Sequence, residues 1–159
     1  MLKLYVERMI RERGTIMGLV KAENVVDGQY SEQVKVCGSV EREADCLPAG
    51  KYRVCIGKYI YHHRKMPFLV PVDSSQCELC CKARHSHEFG DISAFASLPC
   101  AMIQPGNGPF TMGRGSILVG EVHAPGYVLK SHPLFTTLYE RIKKAVWRGN
   151  EVTLVIKEV

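Results

Sequence analysis

The sequence lacks any apolar run of about 18 residues, the minimum for a membrane-spanning helix, so we expect no helical span. Its N-terminal stretch MLKLYVERMIRERG mixes charged and apolar side chains and lacks the continuous apolar core of a secretory signal. We therefore expect the protein to stay in the compartment where it is made, the cytoplasm.

The chain also has little excess charge of either sign. It has 21 Lys and Arg against 16 Asp and Glu, a net charge of +5, and most of the cations are scattered among acids. Only the segment ERIKKAVWRG concentrates them, and the solvated face of a helix explains that concentration. Because no nucleic-acid-binding motif accompanies the charge, a nucleic-acid partner is not expected.

Short strands separated by turns account for most of the chain. Apolar and polar residues alternate in LKLYV, QVKVCGSV and EVTLVIKEV, and PFLVPV and SILVGEV are compact apolar strands. Asp27-Gly28 is typical of a hairpin turn. At 159 residues, 46% of them apolar, the chain matches a single globular domain spanning 1–159.

One helix is predicted, over SHPLFTTLYERIKKAVWRGN. Ser131 is expected as its N-cap, and Gly149-Asn150 is expected to end it. Leu134, Leu138 and Ile142 are spaced four residues apart and predict the buried stripe of that helix. The fold class is therefore mainly β (α+β), a β-sandwich or barrel-like domain with one C-terminal helix packed on the sheet.

A polar segment over 73–99 interrupts this rhythm and is predicted to be a long inserted loop. It contains a cluster of metal-ligand residue types, CELCCKARHSH. The two-residue gap in Cys77-x-x-Cys80 lets two thiolates hold one metal, and His85 and His87 follow closely enough to complete a tetrahedral zinc site.

The alternative for this loop is a polar segment whose thiols have no metal. Zinc sites usually have a longer gap between their cysteine pair and their histidines than this sequence has. Seven cysteines, an odd count, argue against a closed disulfide framework in a reducing compartment. The sequence thus favours incidental free thiols in a polar loop, and a zinc site is the alternative that it leaves open.

Three segments in order resemble an uncharacterised bacterial and phage family of unknown function. They are VCGSVEREADCLPAGKYRV, IQPGNGPFTMGRGSILVG and LKSHPLFTTLYERIKKA…VTLVI. The family has E…CIPEGTY, IHPGN…GCILVG and S…F..L…I patterns in the same order. The resemblance runs from residue 16 to the end, outside 73–99.

That family in turn resembles the L,D-transpeptidases of peptidoglycan cross-linking, in which a Cys nucleophile and a His base lie on a β scaffold. The resemblance places the base position at Gln104 and the nucleophile position at Ser116. Both residues depart from the family pattern, whereas Gly106 and Asn107 match it. With Arg114, these two matching residues are the predicted ligand-binding positions.

The chemistry of the two departures predicts an inactive copy. A serine hydroxyl is far less acidic than a thiol and needs a base even more. An amide at Gln104 cannot accept a proton at any useful pH. His123 and His132 are the alternative bases, although an odd offset along a straight strand places His123 on the opposite face from Ser116.

Three functions follow from these residues. The first is a catalytically degenerate transpeptidase-like module that binds a small ligand or a peptidoglycan fragment, or has a structural role. The second is a peptidoglycan-directed acyl transferase or peptidase that uses Ser116. The third is an interaction module stabilised by zinc at the Cys77–His87 cluster.

Overall fold

A computed structural model describes residues 1–26, 28–59, 64–71, 101–108 and 115–159. The predicted insertion over 73–99 and all four predicted zinc ligands lie outside these residues. The helix and strands are β1 (Leu2–Glu12), β2 (Thr15–Val26), β3 (Gln29–Tyr30), β4 (Val34–Arg42), β5 (Gly50–Tyr59), β6 (Arg64–Pro71), β7 (Ile103–Gln104), β8 (Ile117–Ala124), β9 (Tyr127–Leu129), α1 (Ser131–Trp147) and β10 (Val152–Glu158).

The strands form one curled, mixed sheet in the order β6-β5-β10-β1-β2-β4-β8-β7, with β3 paired to β2 and β9 paired to β8. Strand β1 runs parallel to β10, and β7 runs parallel to β8. The two ends of the sheet meet where Phe68 of β6 forms an antiparallel bridge with Met102. The predicted mainly β fold is confirmed, and the sheet is a half-barrel rather than a sandwich.

Helix α1 packs on this sheet and fills its main core. Phe135, Leu138 and Ile142 are at most 2% exposed and belong to the same cluster as Leu4 and Leu154 of the central strands. Burying side chains of this size contributes about 2 kcal/mol each. The predicted helix is confirmed, but Phe135 rather than Leu134 provides the first buried apolar contact.

Both ends of the helix have identifiable signals. The helix stops in a Schellman motif, in which the N–H of Asn150 donates to Ala145 O and that of Gly149 donates to Val146 O. Gly149 has a φ of +75°, as predicted for a glycine stop. At the other end the prediction was wrong, because Lys130 is the N-cap and Ser131 is the first helical residue.

A β-bulge shapes strand β4 where the alternating pattern had predicted a regular strand. Cys37 pairs with Val20 and Lys35 pairs with Lys21, so Val36 is an extra residue in the ladder. Val34 is 57% exposed, whereas Val40 on the far side of the bulge is fully buried. The bulge therefore breaks the alternation that the sequence pattern predicts along β4.

Candidate functional site

Ser116 lies immediately before β8 and is 1% exposed. Its hydroxyl oxygen accepts a hydrogen bond from the backbone N–H of Met102 at 3.2 Å. The N–H of Ile117 donates to Met102 O at 2.9 Å. The serine hydroxyl thus extends the pairing between β7 and β8 by one more hydrogen bond.

Gln104 lies in the short strand β7, opposite Leu118 of β8, and is 6% exposed. Its amide nitrogen donates a long hydrogen bond to Pro105 O at 3.5 Å. The parallel register of β7 and β8 brings Gln104 and Ser116 to neighbouring strands of the sheet. The two positions predicted from the family resemblance are therefore neighbours in the fold, and both side chains are buried.

The loop that follows Gln104 is held by Ser131 at the start of α1. Ser131 Oγ donates to Val119 O at 2.6 Å and accepts the N–H of Gly106 at 3.0 Å. The next residue of the loop, Asn107, is exposed, and its carbonyl oxygen accepts the N–H of Val128 at 3.2 Å. The hydroxyl of Ser131 thus joins the helix, strand β8 and the Pro-Gly-Asn loop at one point.

One predicted alternative base, His123, belongs to β8, seven residues beyond Ser116. The pairing of β8 with β9 shifts between Val122 and Ala124, so a bulge lies at His123 and the opposite-face argument does not hold there. Strand length is a stronger argument, because seven extended residues span roughly 20 Å. The backbone of β8 therefore holds the His123 and Ser116 positions far apart. Arg114 lies outside the described residues.

A buried ion pair lies close to this site and was not predicted from the sequence. Arg8 and Glu41 are 3% and 1% exposed, and the guanidinium donates to both carboxylate oxygens, Nη2 to Oε1 at 2.8 Å and Nε to Oε2 at 3.0 Å. Arg8 Nη2 also donates to Leu47 O. Burial opposes the charge of Arg8, but the hydrogen bonds and the charge of Glu41 outweigh it and hold the pKa of Arg8 above its usual value.

Leu47, which is held by this ion pair, connects the turn before β5 with the backbone before Ser116. Leu47, whose carbonyl oxygen accepts from Arg8, packs so closely on Gly115 that a Cβ there would lie 3.3 Å from Leu47 Cδ2. Tyr52, in the same segment, donates its hydroxyl to Pro48 O at 2.6 Å. Burial raises the pKa of Tyr52. The Cys46-Leu47-Pro48 turn is therefore fixed against the backbone just before Ser116.

Two further charged side chains at the surface, Arg11 and Glu158, extend the buried ion pair toward the solvent. Arg8 Nη1 donates to Glu158 Oε1 at 3.1 Å, and Arg11 donates to both oxygens of Glu158 at 2.8 and 2.9 Å. The hydrogen bonds from Arg11 and then from Arg8 lower the pKa of Glu158 to about 2. Glu158 therefore stays ionised at any ordinary pH.

A groove of about 520 Å³ crosses the strands on another part of the surface. We call it the Ile10 groove, and its lining residues are Met9, Ile10, Met17, Gly18, Leu19, Lys35, Val36, Cys37, Gly38, Gly120, Glu121, Val122 and Leu134. Met9 and Ile10 on its rim are 52% and 55% exposed. Its lining is mainly apolar, and its volume is within the range of small-molecule sites.

In the ranges that the structure describes, no group of three or more His, Cys, Asp or Glu side chains is placed to hold a metal ion. Within the same ranges, no helix is both long enough and apolar enough to cross a bilayer.

Comparison of the chain with protein-family models, with curated proteins and with solved structures gives no match.

Proposed function

We propose that the protein is a non-catalytic, transpeptidase-like binding module in which Gln104 and Ser116 have structural roles. The observation that carries this proposal is the state of Ser116, whose hydroxyl is 1% exposed and accepts the Met102 N–H. A nucleophilic serine must instead present its oxygen to a substrate and have a base within hydrogen-bonding reach. The buried hydroxyl supports a structural role.

The surroundings of Gln104 support the same conclusion. Its side chain is 6% exposed, and its amide donates to the neighbouring Pro105 carbonyl at 3.5 Å. Ser131 fixes the adjoining loop through Gly106. The β7–β8 region therefore has the packing and hydrogen bonding of a structural junction between strands, loop and helix.

Binding is assigned to the Ile10 groove, because it combines apolar walls with two charged side chains. Glu121 already forms an ion pair, because Lys130 Nζ lies 3.6 Å from its Oε2. Lys35 is exposed and has no ion pair with any acidic side chain in the described part of the chain. The ligand class that fits is a small, mainly apolar molecule with one anionic group for Lys35.

Fluorescence of 1-anilinonaphthalene-8-sulfonate, an apolar anion, tests the groove. We expect saturable binding to the wild-type protein and at least severalfold weaker binding to Ile10→Gln. Val34→Gln is the matched control, because Val34 is equally exposed at 57% and does not line the groove. Equal affinity of the two variants would contradict the assignment.

A serine-directed fluorophosphonate tests the non-catalytic part separately. We expect the intact mass of the folded protein to stay unchanged after incubation, because Ser116 is buried and its oxygen is engaged with Met102. Peptide mapping that finds the phosphonate on Ser116, with no adduct on Ser116→Ala, would show an activated nucleophile. That result would overturn the structural role of Ser116.

A further inference from the structure

A second cavity, of about 360 Å³, lies between the C-terminal half of α1 and the adjoining ends of β1 and β2. We call it the Arg141 pocket, and its lining residues are Met1, Leu2, Asn24, Arg141, Lys144, Ala145, Arg148 and Asn150. Leu2 and Asn24 are paired across β1 and β2, so the sheet forms one wall and the helix forms the other. The pocket is separate from the Ile10 groove, with which it shares no lining residue.

The helical wall of this pocket is basic because three cationic residues recur along it at helical spacing. Arg141 and Lys144 are three residues apart on one face of α1, and Arg148, the C-cap residue four positions later, extends the same side of the pocket. None of the three forms an ion pair with an acidic side chain among the residues that the structure describes. Glu151, which follows the pocket residue Asn150, has Arg53 as its partner at 3.7 Å.

Three cations around one cavity, none of them ion-paired with an acid among the residues that the structure describes, make its surface electropositive. Like charges at these spacings repel each other, and a concave, partly apolar surface focuses their potential. The C-terminal end of a helix tolerates cations, which explains why they are stable there but not why they converge on a cavity. Asn24 and Asn150 add side-chain amides, which can donate hydrogen bonds to oxygen atoms.

We infer that the Arg141 pocket binds a soluble phosphate monoester. A monoester carries close to two negative charges and three acceptor oxygens, which suits three cations and two amides better than a single carboxylate does. The volume is at the lower end of small-molecule sites, so it holds a phosphate together with a small organic group. This inference is independent of the non-catalytic role of Ser116 and of the Ile10 groove.

Calorimetric titration with glycerol 3-phosphate tests the inference, with ionic strength held constant because salt screens exposed charges. The double variant Lys144→Gln/Arg148→Gln removes two cations from the pocket. Loss of two charge-assisted hydrogen bonds predicts binding at least tenfold weaker. Lys51→Gln/Lys65→Gln is the control, because it removes the same charge from exposed positions on β5 and β6 and should bind as the wild type does.

Each outcome decides the inference. Binding by the wild type and the control, with loss in the pocket variant and no heat from glycerol alone, supports it. No binding by the wild type, or equal binding by both double variants, overturns it. Binding to vesicles of phosphatidic acid or to a single-stranded oligonucleotide without binding to glycerol 3-phosphate also overturns it. Far-ultraviolet circular dichroism of the variants checks that each remains folded.

Discussion

Replacing Arg8 with methionine tests whether the buried Arg8–Glu41 ion pair stabilises the region around Ser116. Met keeps much of the length of the side chain and removes its charge and its donors. The carboxylate of Glu41, 1% exposed, would then lose hydrogen bonds of 2.8 and 3.0 Å. Leu47 O would lose the hydrogen bond that fixes the turn against Gly115.

The expected loss follows from the burial of the partner that remains. Breaking a buried ion pair from one side costs about 3–5 kcal/mol, because an uncompensated charge is left in the interior. Arg8→Met should therefore lower the free energy of unfolding by that amount. Replacing both partners, as in Arg8→Met/Glu41→Leu, leaves no buried charge and should recover much of the loss.

Urea denaturation followed by circular dichroism measures both variants. Arg11→Met is the control, because Arg11 belongs to the same strand and shares Glu158 as a partner but has a side chain that is 45% exposed. We expect a much smaller change for it, since exposed pairs are screened by water. Equal destabilisation by Arg8→Met and Arg11→Met would contradict the stabilising role of the buried Arg8–Glu41 pair. The same conclusion would follow if the double variant were the least stable of the three.

Three further predictions concern the ion pairs of Glu158, the role of Ser131 in holding the loop, and the metal. The pKa of Glu158 is lowered from 4.5 to about 2, so its ion pairs stabilise the fold above pH 4.5 and this stabilisation is lost as the pH falls toward 2. The difference in Tm between the wild type and Glu158→Gln should therefore shrink over that interval. A constant difference would contradict the pairing. Ser131→Ala leaves the Gly106 N–H without its acceptor and should lower the free energy of unfolding, measured by urea denaturation, by about 1–3 kcal/mol. Thr137→Ala, at an exposed position, should lower it far less. Equal losses would argue against the role of Ser131 in holding the loop. For the zinc hypothesis, elemental analysis should find close to one equivalent of zinc in the purified protein and less in Cys77→Ser/Cys80→Ser; below a tenth of an equivalent in the wild type, the hypothesis fails.

Local patterns in the sequence predicted most of the elements but not how the sheet is assembled. The glycine stop at Gly149 depends on neighbouring residues, and the structure has it. In β10, Val152, Leu154 and Ile156 are buried as the alternation predicts, although Thr153 between them is buried too. The parallel pairing of β1 with β10 joins the two ends of the chain and has no local signal. The same holds for the bridge between Phe68 and Met102 that brings the sheet edges together.

For the candidate site, the sequence named two positions that are neighbours in the fold but not the side chains that hold them. Family-like motifs pointed to Gln104 and Ser116, which the parallel register of β7 and β8 places on neighbouring strands. The Arg8–Glu41 pair was missed, although a signal was present. Arg8 continues the inward alternation of Leu4 and Val6 in β1, and a charged residue at such a position needs a buried partner.

Ser131 shows why a local rule can identify the right residue for the wrong role. A serine before an apolar periodic segment is typical of an N-cap, and its hydroxyl was expected to bond to the helix backbone. In the fold that hydroxyl lies between Val119 O and the Gly106 N–H, because β8 and the Pro-Gly-Asn loop meet the helix at this point. Only the tertiary arrangement determines that choice.

Turnover of muropeptides is the measurement that tests the central claim most directly. The wild-type protein and Ser116→Ala would be incubated with tetrapeptide-containing muropeptides, and the products would be separated by liquid chromatography with mass detection. The structural role of Ser116 predicts no cross-linked or hydrolysed product above the protein-free rate with either protein. Turnover by the wild type that is abolished in a folded Ser116→Ala protein would contradict the account.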